Sequence, residues 1–488
     1  MRARSWSCAG ASNTLPKNPH TRLSYQSYRD ASTGVSGGRR CARVVGRSPM
    51  LNILLILLVP ILVAALAARV ARARQVFGEP AAPLVVVVLL AYLVRVVAYF
   101  VQQNVQLFSH GIGGDYLSYR LWSEYIVAIW QRQGLHMVQA DELAQMGRTS
   151  LPPNLFAFVN YLNGGPANEA CASLSAGFAC ITAINLFSLS VELGAATKRA
   201  LSVTLAFLFL PGFILYSADM YKDPLVWMLV FGVLASSVRL MTHLRPRDVV
   251  IGTLCAWALW YVRFYLVFLT VAPLAVGLLG LNTKKPVRTL LLLVGAMAVV
   301  IPVLAYTKIL GDLGEQASST FEVSTGSVLR INVAKQSGSG VVFDDGGQVY
   351  GALHLKLLYT LFSPFPWQAG SFGFHIGKID ALAWFYFAWR AFKASRVLLR
   401  TRPGLLFALL TFLLPTTLVY SFAMHNIGLI LRQRMPVVIV SLLLASLSWP
   451  EDRPEELESD DEEDDLVDDE YEEAAHDPLE PEVRAEPG

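Results

Sequence analysis

Sixteen carboxylates lie between residues 50 and 450, and one of them, Asp115, sits in SHGIGGDYLSYRLW (109–122), directly behind an apolar run long enough to cross a bilayer. Gly113 and Gly114 let the backbone turn tightly there. An Asp ahead of a first helical turn accepts backbone N–H bonds and favours the positive helix end. A carboxylate so placed caps a helix and is also suited to act as general base on a hydroxyl. A second constellation, FLPGFILYSADMYKDPLVW (209–227), gathers Asp219, Lys222 and Asp223 behind Pro211, with Pro224 well placed to open the next helix. Charges at this spacing can satisfy one another; two carboxylates flanking a lysine can equally hold a metal or a phosphate-linked substrate. The third set is arginine: Arg263 in WYVRFYLVF, and Arg432 and Arg434 in HNIGLILRQRMP. Such residues ordinarily snorkel to headgroups, yet guanidinium is also the group that grips phosphate in two-pronged fashion. Arg95 lies in the middle of an apolar run and is expected inside the helix bundle.

The elements that position these groups are membrane helices. With 54% hydrophobic residues in 488 and a mean hydropathy of +0.45, the chain reads as an all-α polytopic membrane protein. Eleven apolar spans are expected, near 50–68, 82–102, 171–193, 200–217, 225–240, 249–261, 264–281, 289–306, 381–392, 405–422 and 436–449. The basic connections at Arg69, Lys198–Arg199, Arg239–Arg247, Lys284–Arg288 and Arg390–Arg402 then all fall on the cytoplasmic side, as does the C-terminus. Residues 353–367 read as an interfacial or re-entrant element on the outer face. Two long outer segments, 104–170 and 308–380, remain. Of the sixteen carboxylates only Glu79, Glu192 and Asp248 face inward, although the greater length of the outer loops accounts for much of that asymmetry. Within the first outer segment, 116–130 is expected to form an amphipathic surface helix. Leu117, Leu121, Trp122, Tyr125, Ile126 and Ile129 share one face, with Arg120 and Glu124 opposite.

The two ends differ from the centre. Residues 1–49 carry nine Lys/Arg against Asp30 alone and lack apolar periodicity; they read as a disordered leader or as sequence upstream of a true start at Met50. Residues 451–488 hold twenty Asp/Glu and two Arg and are expected to be a disordered acidic tail. Between them lies one multi-helix domain, 50–450. The five cysteines show no metal-binding or disulfide spacing.

GGDYLSYRLWSEY, LFLPGFILYSADMYKDPLVW and the closing order SPFPW then HNIGLILRQR resemble the GT-C class of membrane glycosyltransferases, the dolichyl-phosphate-mannose type included, and bacterial polysaccharide-assembly proteins. The resemblance covers roughly 84–449. It implies a multi-pass protein of the bacterial plasma membrane with its site at the outer leaflet. It also implies a polyprenyl-phosphate-linked sugar as donor and a glycan or protein as acceptor, in cell-envelope glycan assembly. Asp115 matches the acidic residue of that class's first outer loop, with Tyr116, Tyr119, Asp219, Lys222, Asp223, Arg263, Arg432 and Arg434 expected around the substrate. Asp115 is followed by Tyr116 where many members have a second acid, which leaves a divalent metal undecided and keeps an O-antigen-polymerase-like activity in play. A lipid-linked glycan transporter or flippase and a non-enzymatic scaffold are further alternatives. Membrane lipids are expected partners, and nucleic acid is not.

Overall fold

The computed structural model describes residues 49–73, 82–105, 115–147, 149–242, 245–278, 352–368, 372–422 and 427–447. The basic leader, the span expected at 289–306, most of the outer segment 308–380 and the acidic tail lie outside the described residues.

Among the described residues the regular elements are helices, with no strand. In order they are α1 (Pro49–Ala73), α2 (Ala82–Val105), α3 (Asp115–Gln133), α4 (Leu151–Asn163), α5 (Asn168–Glu192), α6 (Thr197–Phe209), α7 (Pro211–Leu215), α8 (Asp223–Thr242), α9 (Pro246–Leu278), α10 (Leu353–Phe362), α11 (Phe372–Thr401), α12 (Pro403–Phe422), α13 (Ile427–Gln433) and α14 (Met435–Ser446). Six of them, α1, α2, α5, α8, α9 and α12, are long and apolar enough to cross a membrane. The chain is therefore a helical, multi-pass membrane protein.

The bundle sorts its helices by side-chain size. α5 and α8 are mostly buried, and every residue of α14 is buried although the helix has only 12 residues. α5 lines its buried surface with Ala, Ser, Gly and Cys, which lets neighbouring backbones approach closely. α1 does the opposite. Leu54, Leu57, Ile61 and Leu62 are each more than half exposed, as suits a helix whose solvent is lipid.

Six such helices against eleven expected spans has local causes. The stretch expected to cross at 200–217 is broken: Pro211 has no N–H to continue the ladder, Leu210 turns extended (φ −61°, ψ 129°), and the chain splits into α6 and the short α7. The expected span at 436–449 is α14, and the one at 381–392 lies within the 30-residue α11; neither is among the six. α10, with ten residues, is too short to cross alone.

The two spans expected at 249–261 and 264–281 form one continuous helical stretch, α9, with a reversal inside it. Arg263 leaves helical geometry (φ −150°, ψ 84°). A Cβ built on Gly252 would lie 3.0 Å from Leu274 Cδ1, and the Trp260 and Phe268 rings meet at 6.5 Å. Twenty-two residues of straight helix would separate Gly252 and Leu274 by about 33 Å, so α9 is a hairpin that folds back at Arg263. Ser150 N–H and Thr149 Oγ1 donate to the Tyr261 and Val262 carbonyls, satisfying the end of its first leg.

α3 forms where expected, but its faces are rotated. Tyr119, Ser123, Ile126 and Trp130 are buried, chiefly against α4, while Leu117, Leu121 and Tyr125 are exposed. The single apolar face expected from Leu117 to Ile129 is in fact two. Ser123 is drawn inside because its hydroxyl donates to the Arg120 carbonyl and accepts from Asn160 Nδ2 at 3.0 Å.

Candidate functional site

Four elements bring ionised groups to one end of the bundle: the first residue of α3, the first residue of α8, the reversal of α9 and the last turn of α13. Asp223 is buried as α8 opens; its Oδ1 accepts from Arg263 Nη2 at 2.8 Å and its Oδ2 from Arg432 Nε. Arg432 Nη1 reaches Asp115 Oδ2 at 2.7 Å. The result is an alternating chain, Asp115, Arg432, Asp223, Arg263, that joins distant parts of the sequence. Alternation is what permits it, since each buried charge has an opposite neighbour and isolated burial would cost several kcal/mol per ion. Asp115 forms the open end: its side chain is 45% exposed, against 7% for Arg432.

Arg432 is not saturated. Its Nη2 is buried with no hydrogen-bond partner among the described residues. Its guanidinium carbon lies 5.4 Å from the Tyr221 ring centre and 5.9 Å from that of Tyr216. The two rings meet edge to face at 5.8 Å, and Tyr116 meets Tyr221 at the same distance. Burial pushes the Tyr216 phenol up to about 12, so it stays a neutral donor. Lys222 stands beside this group without an ion pair to any described residue. Burial and, next, the Arg263 guanidinium push its ammonium down to about 8.

The remaining expected site residues lie elsewhere. Asp219 does not join Asp223: its Oδ2 accepts from Gln103 Nε2 at 2.9 Å and its Oδ1 from the Met220 N–H at 2.7 Å, so it faces α2. The two carboxylates of YSADMYKDP thus take separate partners, and the lysine forms an ion pair with neither. Tyr119 packs with Phe156, Cys171 and Met220. Arg434 donates through Nη1 to the Ser363 carbonyl at 2.5 Å and the Leu361 carbonyl at 3.2 Å, holding the end of α10. Arg95 is fully buried, as expected, with Nε donating to Ser217 Oγ at 2.7 Å.

Further residues belong to the site's surroundings. Tyr216 and Tyr221 stand within the 209–227 motif, and aromatic residues around a charged turn are the signal that marks them. Asp380, at the buried face of α11, accepts the Gly212 N–H at 2.7 Å. Gly212 is required there, because a Cβ would strike the Asp380 carboxylate. Among the described residues no group of three His, Cys, Asp or Glu side chains converges. Asp115 and Asp223 both already engage a guanidinium, so this pair does not offer the donor set a divalent metal needs.

No family model matches the chain, and no curated protein or solved structure matches it either.

Proposed function

We propose that the Asp115–Arg432–Asp223–Arg263 end of the bundle is the active site of a membrane glycosyltransferase that takes its sugar from a polyprenyl-phosphate-linked donor at the outer face. The observation that carries this reading is Arg432: a buried guanidinium with one unpartnered donor, flanked by a half-exposed carboxylate and two tyrosine rings. The likeness of these motifs to GT-C enzymes supports the same reading.

The donor's phosphate enters beside Arg432 and takes up Nη2, with Lys222 as a second cation. By competing for Nη1 it releases Asp115. The acceptor hydroxyl then gives its proton to the Asp115 carboxylate while its oxygen bonds to the anomeric carbon. The bond from that carbon to the phosphate oxygen breaks, and the phosphate keeps the electron pair. Arg263 acts through Asp223, which fixes the orientation of Arg432. Tyr116, Tyr216 and Tyr221 offer ring faces and phenol donors to the sugar.

A second reading, an O-antigen-polymerase-like enzyme, draws on the arginine-centred make-up of the site. It uses the same leaving-group chemistry and differs in product, a ladder of lengths rather than one addition. The test is an Asp115→Asn variant, which keeps the helix start but removes the base. Correctly inserted, it should support less than a hundredth of wild-type glycan assembly in cells lacking the native protein; full assembly would sink the proposed role.

A further inference from the structure

The opposite end of the bundle carries a second charged cavity. From Asp223 to Arg239, α8 runs 16 residues, about 24 Å, and at its far end a cleft of about 430 Å³ opens. That volume lies in the range of about 300–1,000 Å³ typical of small-molecule sites. Arg69 from α1, Arg239 from α8, and Arg245 and Arg247 at the start of α9 line it. Its two carboxylates do not cancel them. Glu192 receives Arg239 through both Nε (2.8 Å) and Nη2 (3.0 Å) and accepts Ser188 Oγ at 2.9 Å; that leaves Asp248, buried at the first turn of α9, as the one other carboxylate among the lining residues against three further arginines. Arg69, Arg245 and Arg247 make no ion pair with a described residue, and all three are exposed.

The walls are not those of a soluble anion site. Leu66 and Val70 line the cleft, and along α1 the exposed Leu62 and Leu58 continue from it. On α9, exposed Val250, Leu254 and Trp257 continue from Arg247. Arginines at the mouth with apolar rims running toward the centre of the helices match a molecule with a phosphate head and acyl chains. We infer that this cleft binds one anionic phospholipid, its phosphate held by Arg69, Arg245 and Arg247 and its chains lying along α1 and α9. The basic loops assign this end to the cytoplasmic leaflet, where anionic lipid is at hand. The inference does not rest on the transferase reading.

The experiment is native mass spectrometry of the full chain released from mixed phosphatidylglycerol and phosphatidylcholine micelles. One phosphatidylglycerol should stay bound per chain. At about fivefold per arginine near the surface, R69Q/R245Q/R247Q should weaken retention roughly 100-fold. Arg72→Gln, which removes an exposed charge outside the cleft, should leave it unchanged. Arg69→Gln alone, at an exposed position, should show about fivefold loss and serves if the triple variant does not fold. Equal retention by wild type and these variants, or equal retention of phosphatidylcholine, would overturn the inference. Displacement of the lipid by millimolar inorganic phosphate or glycerol 3-phosphate would overturn it too, marking a site for soluble anions.

Discussion

Replacing Asp223 with Asn changes almost no volume and removes one charge, yet it should be among the most damaging substitutions in the chain. In the native arrangement the Asp223 carboxylate is buried and serves two guanidinium groups, Arg263 at 2.8 Å and Arg432 through Nε. The amide keeps one acceptor oxygen and turns an NH2 toward an arginine that has nothing to accept with. Arg432 then keeps only the half-exposed Asp115, and Arg263 keeps no carboxylate among the described residues. Breaking one buried ion pair costs about 3–5 kcal/mol; with one guanidinium orphaned and a second left on a half-exposed carboxylate, Asp223→Asn should reach the top of that range, about 5 kcal/mol. Equilibrium unfolding in mixed micelles reads this directly. A double-mutant cycle with Arg263→Met supplies the internal check, since removing one repelling cation should recover about 2 kcal/mol or more in the double variant. Asp115→Asn, at the exposed end, should cost less than about 1 kcal/mol. If Asp223→Asn costs no more than Asp115→Asn, or if the Asp223 and Arg263 effects simply add, the buried chain of charges does not hold this end together.

Gly212→Ala should destabilise by about 1–3 kcal/mol in the same unfolding assay, because its methyl would displace the Asp380 carboxylate and the Met435 side chain. Asp380→Ala introduced with it should relieve much of that loss. Binding of a lipid-phosphate donor analogue should weaken as pH rises through about 8, where Lys222 loses its proton and a cation leaves the phosphate pocket. Lys222→Met should remove that pH dependence, leaving uniformly weak binding across pH 6–10.

The long apolar helices were legible because a bilayer demands a fixed length of apolar residues, and α1, α2, α5, α8 and α12 meet that demand almost alone. Arg263 was legible for a related reason: two apolar legs flank a single charge with no room for a loop, and a reversal at that charge is the compact solution. The short and broken pieces were harder. Hydropathy marks 200–217 as apolar, but Pro211 divides it, and α14 is apolar because protein buries it on all sides. Hydropathy alone does not separate a helix solvated by lipid from one solvated by its neighbours. The faces of α3 failed similarly, since Ser123 is polar by type and buried by virtue of Asn160, which lies 37 residues away.

Asp219 and Asp223 show why the site itself was only half legible. Four residues apart, they would share a face if the segment were helical, and that is the premise for treating them as one constellation. Residues 216–222 instead form a turn between α7 and α8, so the first carboxylate points to α2 and the second to α9 and α13. What the sequence does carry is the level at which each charge sits. Asp115, Asp223, Arg263 and Arg432 each stand where an apolar run stops or restarts, and helix ends and a reversal that gather at one end of the bundle bring such residues together. There partners are chosen by desolvation: a buried guanidinium takes the nearest buried carboxylate whatever the sequence separation, here 209 residues for Arg432 and Asp223. Arg434, two residues on, lies on another side of the same turn, finds carbonyls instead, and is spent on structure.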